Sequence, residues 1–172
     1  GYRLMGIEAV DQVCEVLARK LPASEELPPL PGGDFTESLH ELSQSLQHKT
    51  SLAPATCDRL VRLYGTEAAE VAKLSAQPVI PGSTIVEGEV TWAVNMEAAC
   101  TLADVVYRRT RAALYNLERR EIVAPLAQQM ASLLGWNSEQ IEREIEHTNR
   151  LLDADLTFQC KSQDGLAGVM ET

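Results

Sequence analysis

The sequence predicts an all-α fold, an orthogonal or irregular bundle of six to eight helices with a Pro/Gly-rich loop after helix one. Three observations point there. Apolar residues recur at steps of three and four along most of the chain, which places them on one face of a helix. Capping side chains stand ahead of several of these runs. Proline and glycine punctuate the breaks, and there is no internal repeat or low-complexity tract.

Helix one is expected from Tyr2 to Leu21, because Ile7, Val10, Cys14, Leu17 and Leu21 form one stripe. Pro22, Pro28, Pro29, Pro31, Gly32 and Gly33 then stop it through lost amide donors and fixed φ. A second helix is expected at Asp34, capped with Glu37 three residues on, burying Phe35, Leu39, Leu42 and Leu46 and ending near His48. Pro54 suits the first turn of a third helix closed by Gly65 in the left-handed region, and Thr66 is the expected cap of a fourth through Leu74. Pro78 to Gly88 reads as a loop, with Thr84 to Val86 as a brief extended piece. Helix resumes from Glu89 to Glu97, restarts at a Thr101 cap with Asp104, and runs again from about Pro125 to Leu134 with Val123, Leu126, Met130, Leu133 and Leu134 as its stripe. Gly135 is the expected C-terminal cap, with Trp136 folding back on the last turn. Asn137 and Gln140 then cap a final helix whose inner face carries Ile141, Ile145 and Leu152. These elements divide the chain into a first helix over 1–21, a linker over 22–33, a helical domain over 34–155, and a tail over 156–172 whose periodicity fades and which is expected to fray.

A chain of 172 residues holds one ordinary domain with an apolar core. With 25 acidic against 15 basic side chains, its net charge of -10 disfavours nucleic acid and anionic lipid as partners. No apolar run approaches the roughly 20 residues that cross a bilayer and no leader is apparent, so no transmembrane segment and a cytoplasmic location are expected. Cys14, Cys57, Cys100 and Cys160 stand far apart without a C-x-x-C pair, which argues for reduced, mostly buried thiols.

No catalytic or metal site emerges. His40, His48 and His147 are scattered and read as surface residues, and neither H-E-x-x-H, G-x-S-x-G nor a phosphate loop occurs. Glu142, Glu144 and Glu146 on one helix read as solvated ion-pairing groups. Against the acidic trend stands the cluster Arg108, Arg109, Arg111, Arg119 and Arg120. Its forks suit either an anionic ligand or internal carboxylates such as Glu89, Glu97 and Asp104, and the abundance of acids favours the second.

A set of motifs carries more information than any of these groups alone. In order they are Tyr2 to Met5, Leu30 to Gly33, Leu63 to Thr66, Glu89 and Val90 with Trp92 to Val94, Glu97, Thr101 to Val105, Arg108 to Arg111, and Leu134 to Trp136. In order and spacing, over about residues 2 to 152, the chain resembles the C-terminal helical domain of the FAD-dependent (aerobic) glycerol-3-phosphate dehydrogenases. Gly6 departs from that pattern, which usually has alanine there. Glu89, Glu97, Asp104, Arg108, Arg109, Thr110, Gly135 and Trp136 form the family signature. The resemblance implies a parent flavoenzyme that oxidises sn-glycerol 3-phosphate to dihydroxyacetone phosphate, passing electrons to FAD and then to quinone, or to oxygen in the oxidases. It also implies a location for the parent in the cytoplasm or peripheral to the inner membrane. The chain would be an accessory domain whose partners are the FAD-binding domain of the same parent and, as a homo-oligomer, further copies.

Within that resemblance Tyr2 and Arg3 are the residues expected near FAD, and helix one would adjoin the flavin domain. The dinucleotide fingerprint G-x-G-x-x-G is not in this sequence, so the chain is expected to bind no FAD alone and to be inactive by itself. The alternative is a helical binding module such as a helix-turn-helix regulator built from Leu52 to Leu74. Its cations Arg59, Arg62 and Lys73 face Glu67 and Glu70 and make a poor DNA surface.

Overall fold

The computed structural model describes residues 1–20, 29–115 and 119–156. Among them are eight α-helices and no strand pair beyond an isolated bridge between Pro78 and Val86, so the expected all-α class holds. The helices are α1 (Tyr2–Val16), α2 (Leu39–Lys49), α3 (Pro54–Tyr64), α4 (Ala68–Leu74), α5 (Glu87–Asn95), α6 (Ala112–Tyr115), α7 (Val123–Leu134) and α8 (Ser138–Leu156). A 3₁₀ turn, Gly65–Glu67, joins α3 to α4, and a π-helix, Asp104–Arg109, precedes α6.

The chain divides into two compact units between Leu30 and Pro31. The first contains α1, which ends five residues earlier than expected because Ala18 takes a φ of 48° and the Arg19 amide turns back to the Cys14 carbonyl. Ile7, Val10 and Leu17 on its apolar face are exposed, and Cys14 is partly buried. Leu21, Pro22 and Pro28 lie outside the described residues, as do Cys160 and the tail over 157–172.

In the second unit α2 packs on α3, α4 on α5, α5 on α7, and α7 on α8. Two apolar clusters result. One gathers Leu46, Cys57, Leu60, Val61, Tyr64 and Val71 from α2 to α4. The other gathers Val90, Leu102, Val105, Ile122, Leu126, Met130 and Leu152 from α5 to α8. Each large side chain so buried contributes about 1.5–3 kcal/mol relative to exposure. Helix α5 serves both clusters, with Trp92 against the first and Val90 and Ala93 in the second.

Several starts and ends differ from the sequence expectation. Helix α2 begins after Ser38, not Asp34: the Ser38 hydroxyl accepts from the Glu41 amide while the Glu41 carboxylate accepts from the Ser38 amide, a complete capping box. Asp34 instead accepts from the Thr66 hydroxyl at 2.7 Å, so Thr66 caps nothing and α4 follows through the 3₁₀ turn. Leu39, at the start of α2, is exposed. Gly65 has a φ of 55° but a ψ of -127°, outside the left-handed helical region. It is held there by the chain at Gly32, whose carbonyl accepts from the Thr66 amide and lies 1.8 Å from where a Gly65 Cβ would stand.

Leu133 and Leu134 sit on the solvent side of α7. Thr148, fully buried, takes an inner position of α8 between Ile145 and Leu152, and its hydroxyl has no hydrogen-bond partner among the described residues. Of the described thiols only Cys57 is buried, where burial pushes its pKa up, whereas Cys100 is exposed. Mostly buried thiols are therefore not found.

Gly88 is no loop residue: it lies in the first turn of α5, where a Cβ would come within 2.2 Å of the Val71 carbonyl oxygen and 2.6 Å of the Ser75 carbonyl oxygen. The glycine lets α5 cross the end of α4 at backbone contact. Gly88→Ala is expected to lower unfolding free energy in urea by about 3 kcal/mol, the overpacking range. Gly135→Ala, whose Cβ would meet nothing within 4 Å, is expected to cost only the positive-φ penalty of about 1 kcal/mol. Equal losses in the two variants would contradict the close crossing.

Candidate functional site

The polar centre of the second unit is Glu89, a carboxylate with 0% exposure. It stands in the first turn of α5 because it completes that helix's start, accepting from the Val86 amide at 2.9 Å. Arg59 of α3 donates from Nη1 to both Glu89 oxygens at 2.8 Å, and the Tyr64 hydroxyl donates at 3.3 Å. Arg59 also donates from Nη2 to the Thr110 carbonyl at 2.8 Å and from Nη1 to the Thr84 carbonyl at 3.4 Å. One guanidinium thus ties α3, α5, the 78–86 loop and the end of the π-helix.

Burial raises the Glu89 pKa, against the pull of Arg59 and the Val86 amide. Burial, then Glu89 itself, raises the Tyr64 hydroxyl, which stays a neutral donor. This is the arrangement of a satisfied structural carboxylate.

Thr110 is fixed twice over: its amide and hydroxyl both donate to the Val105 carbonyl, at 3.0 and 2.8 Å. That five-residue step is the bond of a π-helix, and it turns the Thr110 carbonyl toward Arg59. Glu97 and Arg109 come together elsewhere: Arg109 Nη2 donates to the Glu97 carbonyl at 2.7 Å, and its Nε lies 3.5 Å from the carboxylate, an ion pair without a hydrogen bond. Burial raises the Glu97 pKa, opposed by Arg109. Asp104 pairs with Arg108 and, as expected, forms a reciprocal cap with Thr101. Burial would raise its pKa, but the Thr101 and Cys100 hydrogen bonds hold it below the usual range.

Gly135 and Trp136 form a separate structural feature. Both amides donate to the Ala131 carbonyl, Gly135 is left-handed with φ 69° and ψ 32°, and Trp136 packs on the second cluster. Tyr2 lies exposed in α1, and nothing is described of the Arg3 side chain.

Most of the arginine cluster is therefore engaged with partners of this chain, although Arg108 and Arg120 stay exposed. Arg120 pairs with Asp153, and Arg119 donates to the Ala113 carbonyl. The partner of Glu89, however, is Arg59, thirty residues upstream, and not a member of the cluster. No local signal links positions so far apart. It also removes from any DNA face one of the three cations on which the helix-turn-helix reading relied. Glu144, expected to be solvated, instead accepts from the Leu102 amide at 2.9 Å and closes the start of the helical stretch leading into the π-helix. Among the described residues there is no cluster of three or more potential metal ligands, and no helix is long and apolar enough to cross a membrane.

A cleft of about 180 Å³ opens beside this network, lined by Arg59, Ser83, Thr84, Thr110, Arg111 and Tyr115 among others. It is smaller than the roughly 300 Å³ at which small-molecule cofactor sites begin. These residues do not fit a dinucleotide such as FAD.

Arg59→Met would leave the Glu89 carboxylate buried without its cation and should cost about 3 kcal/mol, the lower end for breaking a buried pair because Arg59 is 21% exposed. Glu89 would then take up its proton more readily folded than unfolded. For an acid whose folded pKa is raised, stability is greatest below its ordinary value of 4.5 and falls as pH rises through the window above it. Urea unfolding at several pH values should show a steeper fall with pH in Arg59→Met than in the wild type, and a shallower one in Glu89→Gln. Parallel profiles would contradict the coupling.

Comparison with known proteins agrees with the family resemblance. A family model described as the C-terminal domain of alpha-glycerophosphate oxidase matches residues 25–141. A probable mitochondrial glycerol-3-phosphate dehydrogenase of Dictyostelium discoideum is 31% identical over 160 residues, 88% of this chain and 25% of that protein. Glycerol-3-phosphate dehydrogenases of Mycobacterium leprae and Synechocystis are each 28% identical, over 98% and 88% of this chain. The chain spans only 30% and 29% of their respective lengths. It therefore belongs to the family of C-terminal domains of alpha-glycerophosphate oxidase.

Proposed function

We propose that this chain is the accessory helical domain of an FAD-dependent glycerol-3-phosphate dehydrogenase. The whole enzyme would oxidise sn-glycerol 3-phosphate to dihydroxyacetone phosphate, with hydride passing to FAD and electrons onward to quinone. The observation that carries this reading is the alignment of 88% of the chain with 25% of a glycerol-3-phosphate dehydrogenase. FAD and the reacting atoms would belong to the remainder of such an enzyme, because this sequence has no dinucleotide fingerprint.

The geometry supports a structural, docking or oligomerisation role. Glu89, the one fully buried carboxylate among the described residues, is spent on Arg59, Tyr64 and the Val86 amide, and no described residue of the cleft is a poised acid or base. The exposed apolar face of α1, with Ile7, Val10 and Leu17, offers surface for the flavin domain or a second copy. The parent would work in the cytoplasm or peripherally at the inner membrane.

The test is anaerobic addition of sn-glycerol 3-phosphate to the full-length parent. Bleaching of the bound flavin, restored by a soluble quinone, is the expected result, with no such reaction from the 172-residue chain alone. A parent that purifies without flavin, or whose flavin is not reduced, would overturn the assignment.

A further inference from the structure

Four of the five clustered arginines have partners in the structure, and the fifth does not. Arg111 makes no ion pair or side-chain hydrogen bond among the described residues, yet it lines the cleft beside Arg59. Its backbone is held at a φ of 55°, a region costly for a residue with a Cβ. The strain is imposed from both sides. Thr110 before it is pinned to the Val105 and Arg59 groups, and the Arg111 carbonyl after it accepts from the Leu114 and Tyr115 amides at 3.0 and 3.3 Å. Strain that the surroundings over-determine is characteristic of positions where function requires one particular placement.

We propose that the cleft between Arg59 and Arg111 binds a small tetrahedral oxyanion, a phosphate or phosphate monoester. Glu89 neutralises Arg59, so Arg59 supplies fixed donors: its Nε and one Nη2 hydrogen have no partner among the described residues. Arg111 supplies the net positive charge. Ser83 and Thr84 add hydroxyls from the opposite loop. The Ser83 oxygen already accepts from the Ile85 amide at 3.1 Å, so its own hydrogen remains to donate outward. Tyr115 also lines the cleft. None of the lining residues is Asp or Glu, although the chain carries a net charge of -10.

Donors from two guanidiniums and the Ser83 and Thr84 hydroxyls suit the several oxygens of a phosphate better than the two of a carboxylate. The volume of about 180 Å³, below the roughly 300 Å³ at which drug- and cofactor-sized sites begin, suits a phosphate or a short ester better than a nucleotide.

The test is titration of inorganic phosphate, methyl phosphate and acetate into isotope-labelled chain at constant ionic strength, following amide shifts. Saturable shifts at Ser83, Thr84, Arg111 and Ala112 are expected with phosphate and weak, unsaturated ones with acetate. Arg111→Gln should weaken phosphate binding about tenfold, the equivalent of one charge-assisted hydrogen bond, with its urea midpoint unchanged. Ser83→Ala should weaken it by a smaller factor. Methyl phosphate binding as tightly as phosphate identifies an ester site, and weaker binding identifies a free-anion site. No saturable shift, equal saturation by acetate, or undiminished affinity in both variants would overturn the proposal.

Discussion

Glu89 has its carboxylate wholly out of water, and an isolated charge in that position costs several kcal/mol. What offsets the cost also assembles the domain. Its compensating donors come from α3, through Arg59 and Tyr64, and from the start of α5 through the Val86 amide. Arg59 in turn takes the carbonyls of Thr84 and Thr110, so the 78–86 loop and the π-helix are positioned by the same charge pair. Because the two apolar clusters meet at α5, this pair fixes their mutual placement in a way that non-directional apolar contact would not.

The π-helix follows from that constraint. An ordinary helical bond from Thr110 would run to Val106, but the amide and hydroxyl reach Val105 instead, and the extra residue per turn swings the Thr110 carbonyl onto Arg59. The same widening ends in the left-handed Arg111. From the other side α8 holds this segment through Glu144 on the Leu102 amide and Asp155 on the Tyr107 hydroxyl at 2.8 Å. With burial and then the Asp155 hydrogen bond acting on it, the Tyr107 pKa is pushed up to about 12.

The parts legible in the sequence are those set by local physics. The 3 and 4 spacing marks α2, α7 and α8, Pro54 starts α3, Thr101 with Asp104 caps the next helical stretch, and Gly135 ends α7. Local rules fail where two candidates satisfy them equally. Asp34 with Glu37 and Ser38 with Glu41 are the same capping pattern, and the choice fell to Ser38 while Thr66, thirty-two residues away, engaged Asp34. Gly88 misled for a related reason. Its role is a backbone crossing with Val71 and Ser75, which no spacing rule contains. Of the site, Glu97 and Asp104 were legible as acids for the arginine cluster, and the structure pairs them with Arg109 and Arg108. The pairing of Glu89 with Arg59 was not, because it exists only once the bundle has folded.

The residues that carry the sequence resemblance divide accordingly by physical role. Glu89 and Thr110 share Arg59, Asp104 serves as a helix cap, Glu97 with Arg109 ties two turns, and Gly135 with Trp136 closes α7. Each of these residues is engaged in holding the backbone, and an engaged group is a poor acid, base or ligand donor. Arg111 stands outside that set, one residue beyond Thr110 and fixed in place by the same contacts, with its charge unspent among the described residues. A network that consumes the acids around it while presenting one cation at a cleft is positioned to bind an anion, and it contributes no reacting group of its own.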